Sequence, residues 1–248
     1  MGIASYFTPA SFHGLVLDLD GNDPAGTGVQ PSDASAVSDW IDKSSHQNDA
    51  SQASGTNQPD FKKSVMNGYG AVDASGSAKY MSLDKDIVLN DQTIVIVNQT
   101  LTDITTSSTA ACLLSRSSGG SPRMSVIAGT YTGALTNETF SLDGFDYGGT
   151  RRVEFTQSIN YTAGDYVWVW KLSGNTTTFT SNGVAQTLTQ SGGGIDTASV
   201  VSIYDQIFRL FSGSTYWPHY VCRLAIYNRA LSSSEETIIT NWARERYL

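Results

Sequence analysis

Charge is thin in this sequence: Asp, Glu, Lys and Arg together make up 15% of its 248 residues. What there is leans acidic, with a net charge of -8. An acidic surface repels phosphate, so nucleic acid is not an expected partner without a local basic patch. Arg151 and Arg152 are a single pair and read better as a solvated strand end. Cysteine occurs twice, at Cys112 and Cys222, far apart and without metal-site spacing. Each sits in an apolar, strand-like run (ACLL and YVCRLAI), so buried free thiols are expected, with a disulfide as the lesser alternative. No apolar run approaches the roughly 20 residues that a membrane-spanning helix needs, so membrane insertion is not expected. The opening MGIASYFTPASFHGLVLDLD lacks the basic start and apolar core of a secretory signal, and Tyr6 breaks the myristoylation pattern. No Pro- or Gly-rich linker divides the chain. We therefore expect an N-terminal arm over 1–12, suited to docking on a neighbour, and one domain over 13–248.

What the chain has is Ser, Thr, Gly and Asn in abundance, many β-branched residues, and five Trp, twelve Tyr and nine Phe. That mixture suits short strands joined by polar turns. GLVLDL (14–19) reads as a first strand. A polar region then runs from Gly21 to about Lys63, with Val37, Trp40, Ile41 and Phe61 as its expected anchors. Strands follow at 70–75, 79–83, 93–99, 110–114, 123–129, 138–144, 151–157 and 165–172. TTTFTSNGVAQTLTQ is a hairpin, because Asn182 and Gly183 both tolerate positive φ between two β-rich runs. Further strands are expected at 199–204, 207–211 and 220–227. The period then changes. Ser232 and Glu235 form an S-x-x-E capping box, and Ile238, Ile239, Trp242 and Ala243 fall on one helical face. Many strands and one short C-terminal helix predict an all-β, two-sheet antiparallel sandwich.

Three stretches could carry chemistry. SDWIDKSSHQNDA (38–50) crowds aspartates, His46 and Trp40 together. Trp40 is expected to plug the sandwich edge. Asp39, Asp42 and Asn48 are expected to bond backbone amides that a long loop would otherwise leave unpaired. DLDGND offers Asp18, Asp20, Asn22 and Asp23, which resemble the opening of a calcium loop. That pattern breaks where Asp23 replaces the turn glycine and Val29 the bidentate glutamate. Turn aspartates are the plainer reading and calcium the sharper one; no other cofactor is expected. A glycan site needs an exposed aromatic face. Tyr166, Trp168 and Trp170 share one strand face, but Val167 and Val169 make the other face apolar too, which suits a buried central strand. The rim stretch GSTYWPHY offers Tyr216, Trp217 and His219 for a sugar; the plainer reading packs them under a neighbouring loop.

RLAIYNRALSSSEE (223–236), the TFTSNGVAQTL hairpin and the W-x-D-K-S loop at Trp40 together resemble the concanavalin A-like lectin/glucanase superfamily, in its laminin-G-like branch. Tyr227, Asn228, Arg229, Leu231, Ser232 and Glu235 fit its strand–Y-N-R-x-L-S–helix ending. Arg223 departs from it, standing where the family often has an acidic residue. The resemblance implies a jelly roll. Glycan-cleaving members carry E-x-D-x-x-E or a close variant on one strand, which sets paired carboxylates in a cleft. This chain lacks that spacing; its five glutamates are Glu138, Glu154, Glu235, Glu236 and Glu245. Asp143 and Asp146 read as turn residues. The expectation is therefore a non-catalytic structural or adhesion module of a virus particle, most naturally a bacteriophage. It would be oligomeric among other virion proteins, as capsid decoration or fibre, with host-surface glycan binding alongside. Assembly in the host cytoplasm followed by lysis would reconcile an extracellular-type composition with the missing signal. A free, extracellular lectin is the alternative; a hydrolase is the less favoured one.

Overall fold

The computed structural model describes residues 7–75, 78–105, 111–118, 123–128, 140–145, 151–157, 160–174, 176–190, 201–210 and 216–248. Their strands are β1 (Leu15–Asp20), β2 (Asp39–Trp40), β3 (Ala50–Ser51), β4 (Asp60–Met66), β5 (Tyr69–Asp73), β6 (Met81–Leu89), β7 (Gln92–Thr100), β8 (Ala111–Ser115) and β9 (Arg123–Ala128). They continue with β10 (Phe140–Phe145), β11 (Arg151–Gln157), β12 (Gly164–Ser173), β13 (Thr176–Ser181), β14 (Val184–Gln186), β15 (Thr189–Gln190), β16 (Ser202–Ile207) and β17 (Tyr220–Tyr227). One helix, α1 (Ser233–Tyr247), follows. One sheet runs β14-β13-β12-β7-β17-β5-β4, with β1 beside the second half of β17. The other runs β15-β11-β10-β9-β8-β16-β6-β3-β2. The strand pairs are antiparallel, so the all-β sandwich with one C-terminal helix is what the chain forms.

The two-residue period of a strand decides which side chain enters which interior. On β7, Ile94 and Ile96 enter the core between the sheets, while Val95 and Val97 point the other way. On β12, Trp168, Trp170 and Leu172 go inward and Val167 and Val169 outward. All of these are buried, because the outer face of the first sheet is covered too. Its cover is α1, which sets Ile239, Trp242, Ala243 and Tyr247 on it, helped by Phe12 and Leu15 near the N-terminus. The first sheet is thus the middle of three layers. A helix with one apolar stripe needs such a face to be stable in water.

The S-x-x-E reading holds in detail: the Ser232 hydroxyl accepts from the Glu235 amide, and the Glu235 carboxylate accepts from the Ser232 amide at 2.8 Å. Arg229 clasps the same carboxylate at 2.6 and 2.8 Å. The hairpin turn also stands, with Asn182 at φ 51° and Gly183 at φ 80°. Two expectations change. Among the described residues, the strands expected at 199–204 and 207–211 reduce to the single β16, which stops at Ile207 because Phe208 turns to φ 71°; 199, 200 and 211 lie outside the described residues. Asp143 lies inside β10 rather than in a turn, and its backbone partner across the ladder is Glu154 of β11. Asp146 lies outside the described residues.

The polar region after β1 is held by its apolar anchors and by several carboxylates, Asp42 among them. Val37, Trp40 and Phe61 are buried, and Trp40 stacks on Phe208. Ile41 is half-buried. Asp42 accepts from the amides of Asp18, Ser44 and Asn48 at 2.8–2.9 Å, and from the Ser44 hydroxyl. It ties the loop to β1. Asn48 bonds both the amide and the carbonyl of Lys85. Asp39 differs from expectation: its carboxylate accepts from the Ser38 hydroxyl, on the surface.

Candidate functional site

L-D-L-D alternation on β1 sends Leu17 and Leu19 into the core and both Asp18 and Asp20 to the outer face, beneath α1. There they meet Arg223. A ladder irregularity between Val221 and Arg223 turns the arginine to that same face. Arg223 is 7% exposed and Asp18 2%, and they pair through two parallel bonds of 2.7 Å. Asp20 takes the other guanidinium nitrogen at 2.9 Å and Lys43 at 3.2 Å. Lys43 also binds Asp23 at 2.9 Å. Gly21 permits this approach, because a Cβ there would lie 2.4 Å from the Val221 carbonyl.

These contacts set the charges. Burial works against the Arg223 cation, but Asp18 and Asp20 outweigh it and raise its pKa. Partial burial lifts the Asp23 carboxyl, but the Lys43 hydrogen bond and the amides of Gly28 and Thr27 together pull it below its ordinary value. Asn22 turns away and accepts from the Gly70 amide and Gln30. The residues offered to calcium in the sequence are therefore placed otherwise: three carboxylates are engaged by Lys43 and Arg223, and the fourth ligand is directed elsewhere. Among the described residues no group of three His, Cys, Asp or Glu side chains is set to hold a metal ion. Arg223 thus serves as counter-ion to β1. Removing one member of such a buried network costs about 3–5 kcal/mol, because the partner charge is stranded.

The rim aromatics also differ from the glycan expectation. Trp217 is 0% exposed and His219 2%. Trp217 meets Trp168 edge-on at 6.4 Å and His219 at 5.2 Å. Neither ring presents a face to a sugar, and only Tyr216 is partly exposed. Burial alone pushes the His219 imidazole down to about 4. The neutral ring accepts the Leu101 amide on Nδ1 at 3.3 Å. Cys112 and Cys222 are buried free thiols, as expected.

What the fold does offer is a groove of about 510 Å³ between α1 and the β12–β13–β14 hairpin. Strand alternation puts Thr178 and Thr180 of β13 on the outer face beside Lys171 of β12. Helical spacing puts Glu236, Thr240, Asn241 and Arg244 opposite them, flanking the apolar stripe that holds the helix down. Lys171 and Glu236 bridge the two walls at 2.7 Å, and the Thr180 hydroxyl donates to Glu236 at 3.2 Å. Hydroxyls, an amide and both signs of charge therefore line one cleft. The hairpin and the capped helix are each legible in the sequence. Nothing local says that they face one another.

A two-sheet antiparallel sandwich with a helix laid on one sheet and a polar cleft at their junction is the class that fold and site define. No family model and no curated protein matches the sequence. Solved structures share the fold. A botulinum neurotoxin serotype D binding domain matches with a TM-score of 0.56 at 9% identity, over 92% of this chain and 50% of that one. The binding domain of Paraclostridial Mosquitocidal Protein 1 matches at 0.54 and 12%, over 95% and 52%. A serotype D ligand binding domain in complex with N-acetylneuraminic acid matches at 0.52 and 9%, over 84% and 50%. The chain spans about half the length of these domains. At such identities the likeness is one of fold.

Proposed function

We propose that this chain is a non-catalytic carbohydrate-recognition and adhesion module of the concanavalin A-like, laminin-G-like type. The observation that carries the reading is the groove between α1 and the hairpin. Its hydroxyl, amide and charged groups suit a polyhydroxylated ligand, and its shape is concave as ligand sites are. The fold likeness to a domain solved with N-acetylneuraminic acid supports it. The setting we propose is a bacteriophage particle, where the module decorates a capsid or fibre in an oligomeric assembly and meets host-surface glycans. A free extracellular lectin would use the same groove.

A glycan array probed with the full chain tests the reading: a defined subset of glycans is expected to bind, and an empty array sinks it. Polysaccharide turnover assays are expected to show no product. Sustained turnover would instead overturn the non-catalytic reading. Mass spectrometry of purified particles should find the chain at stoichiometric copy number if the virion setting holds.

A further inference from the structure

The geometry points to an acidic sugar as the ligand of the α1–hairpin groove, with Arg244 receiving its carboxylate; this rests on the carbohydrate reading above. The charged residues lining the groove are Lys171, Glu236 and Arg244. Lys171 and Glu236 neutralise one another across it at 2.7 Å. Arg244 is left over: it is exposed and forms no ion pair among the described residues. In a chain of net charge -8 the groove thus keeps one unmatched cation. Its guanidinium lies over the hairpin turn, 4.0 Å from where a Gly183 Cβ would sit, so the missing side chain leaves that approach open. A planar guanidinium takes a carboxylate through two parallel hydrogen bonds.

One further group waits in the same walls. The hydroxyl of Thr240, which lies beside Gly183, has no hydrogen-bond partner among the described residues, and Thr240 is 3% exposed. A buried hydroxyl without a partner is costly unless something binds it. Asn241, one helical turn before Arg244, presents an exposed amide to the groove. Sugar hydroxyls both donate and accept, so they can serve a threonine hydroxyl and an asparagine amide together. A cation in the last turn of a helix also favours the helix dipole. That role would show in stability and leave ligand preference untouched.

Calorimetric titration of the full chain with N-acetylneuraminic acid and with its methyl ester separates these roles, since the two sugars differ in the carboxylate charge. The acid should bind at least about tenfold tighter than the ester, as charge-assisted bonding allows, and the preference should shrink in high salt. Arg244→Gln should abolish the preference, bringing acid and ester to the same affinity. Thr178→Trp, which fills the groove from an exposed strand position, should weaken both. Equal binding of acid and ester, a preference that survives Arg244→Gln, or indifference to Thr178→Trp would each overturn the proposal while the carbohydrate reading stood. If neither sugar binds and the glycan array is empty as well, the carbohydrate reading falls with it.

Discussion

Trp217 and Arg244 exchange the roles that their residue types suggest. The tryptophan flanks a proline in a polar rim stretch, where a sugar-stacking ring would be looked for. The chain instead turns it inward onto Trp168 and His219. Trp217→Ala should therefore read out as stability. A cavity of that size costs about 3–5 kcal/mol, seen as a lower urea midpoint. A change in ligand affinity at unchanged stability would contradict this burial. Arg244 has the ordinary look of a helix-end cation, yet it is the charge in the groove without a counter-ion among the described residues. Local sequence gives each residue's chemistry. Which interior or cleft receives it depends on strand register and on where the helix lands.

Among elements, α1 shows how a short motif fixes a whole layer. Arg229 is the main influence on Glu235, opposed by slight burial and reinforced by Ser232, and together these hold its carboxyl at about 2. A carboxyl depressed in the folded state stabilises the fold above its unfolded value, near 4.5, and loses that contribution as pH falls toward 2. The melting temperature should fall across that window. Glu235→Gln should cost about 1–2 kcal/mol at neutral pH, as a lost cap and a partly exposed ion pair imply. The variant and the parent should converge near pH 2. A gap that stays constant over that range would mean the clasp is not what titrates.

The Y-N-R-x-L-S-x-x-E ending, the N-G hairpin and the D-Y-V-W-V-W strand were all legible, because each rests on a local rule: capping, positive φ, or period-two alternation. The fate of DLDGND was not. Its partner Arg223 lies 205 residues from Asp18, and its aim depends on an irregularity in the β17 ladder. The groove was hidden for the same reason. Its two walls are 233–244 and 171–188, separated by three strands' worth of chain and joined by a salt bridge that no short window contains.

At the scale of the molecule, the middle sheet has two dry faces, one against its partner sheet and one against α1. A chain ending before Ser233 would expose Val95, Val97, Val167, Val169 and Ala225 as one apolar patch. Such patches drive association in solution. The truncated protein should aggregate and bind ANS strongly, by size exclusion and fluorescence. A well-behaved truncated sandwich with the parent's melting temperature would show that the helix is an ornament on a self-sufficient two-layer body.

Residues 9–15 and α1 both rest on that one outer face: the Tyr227 hydroxyl donates to the Pro9 carbonyl, Arg229 to the His13 carbonyl, and the Asn67 amide to the Arg246 carbonyl. Head and tail of the domain consequently leave from a common side. A tether at either extremity would hold the body in the same orientation, presenting the second sheet away from whatever it is moored to and setting the cleft at the flank, within reach of a surface approached sideways.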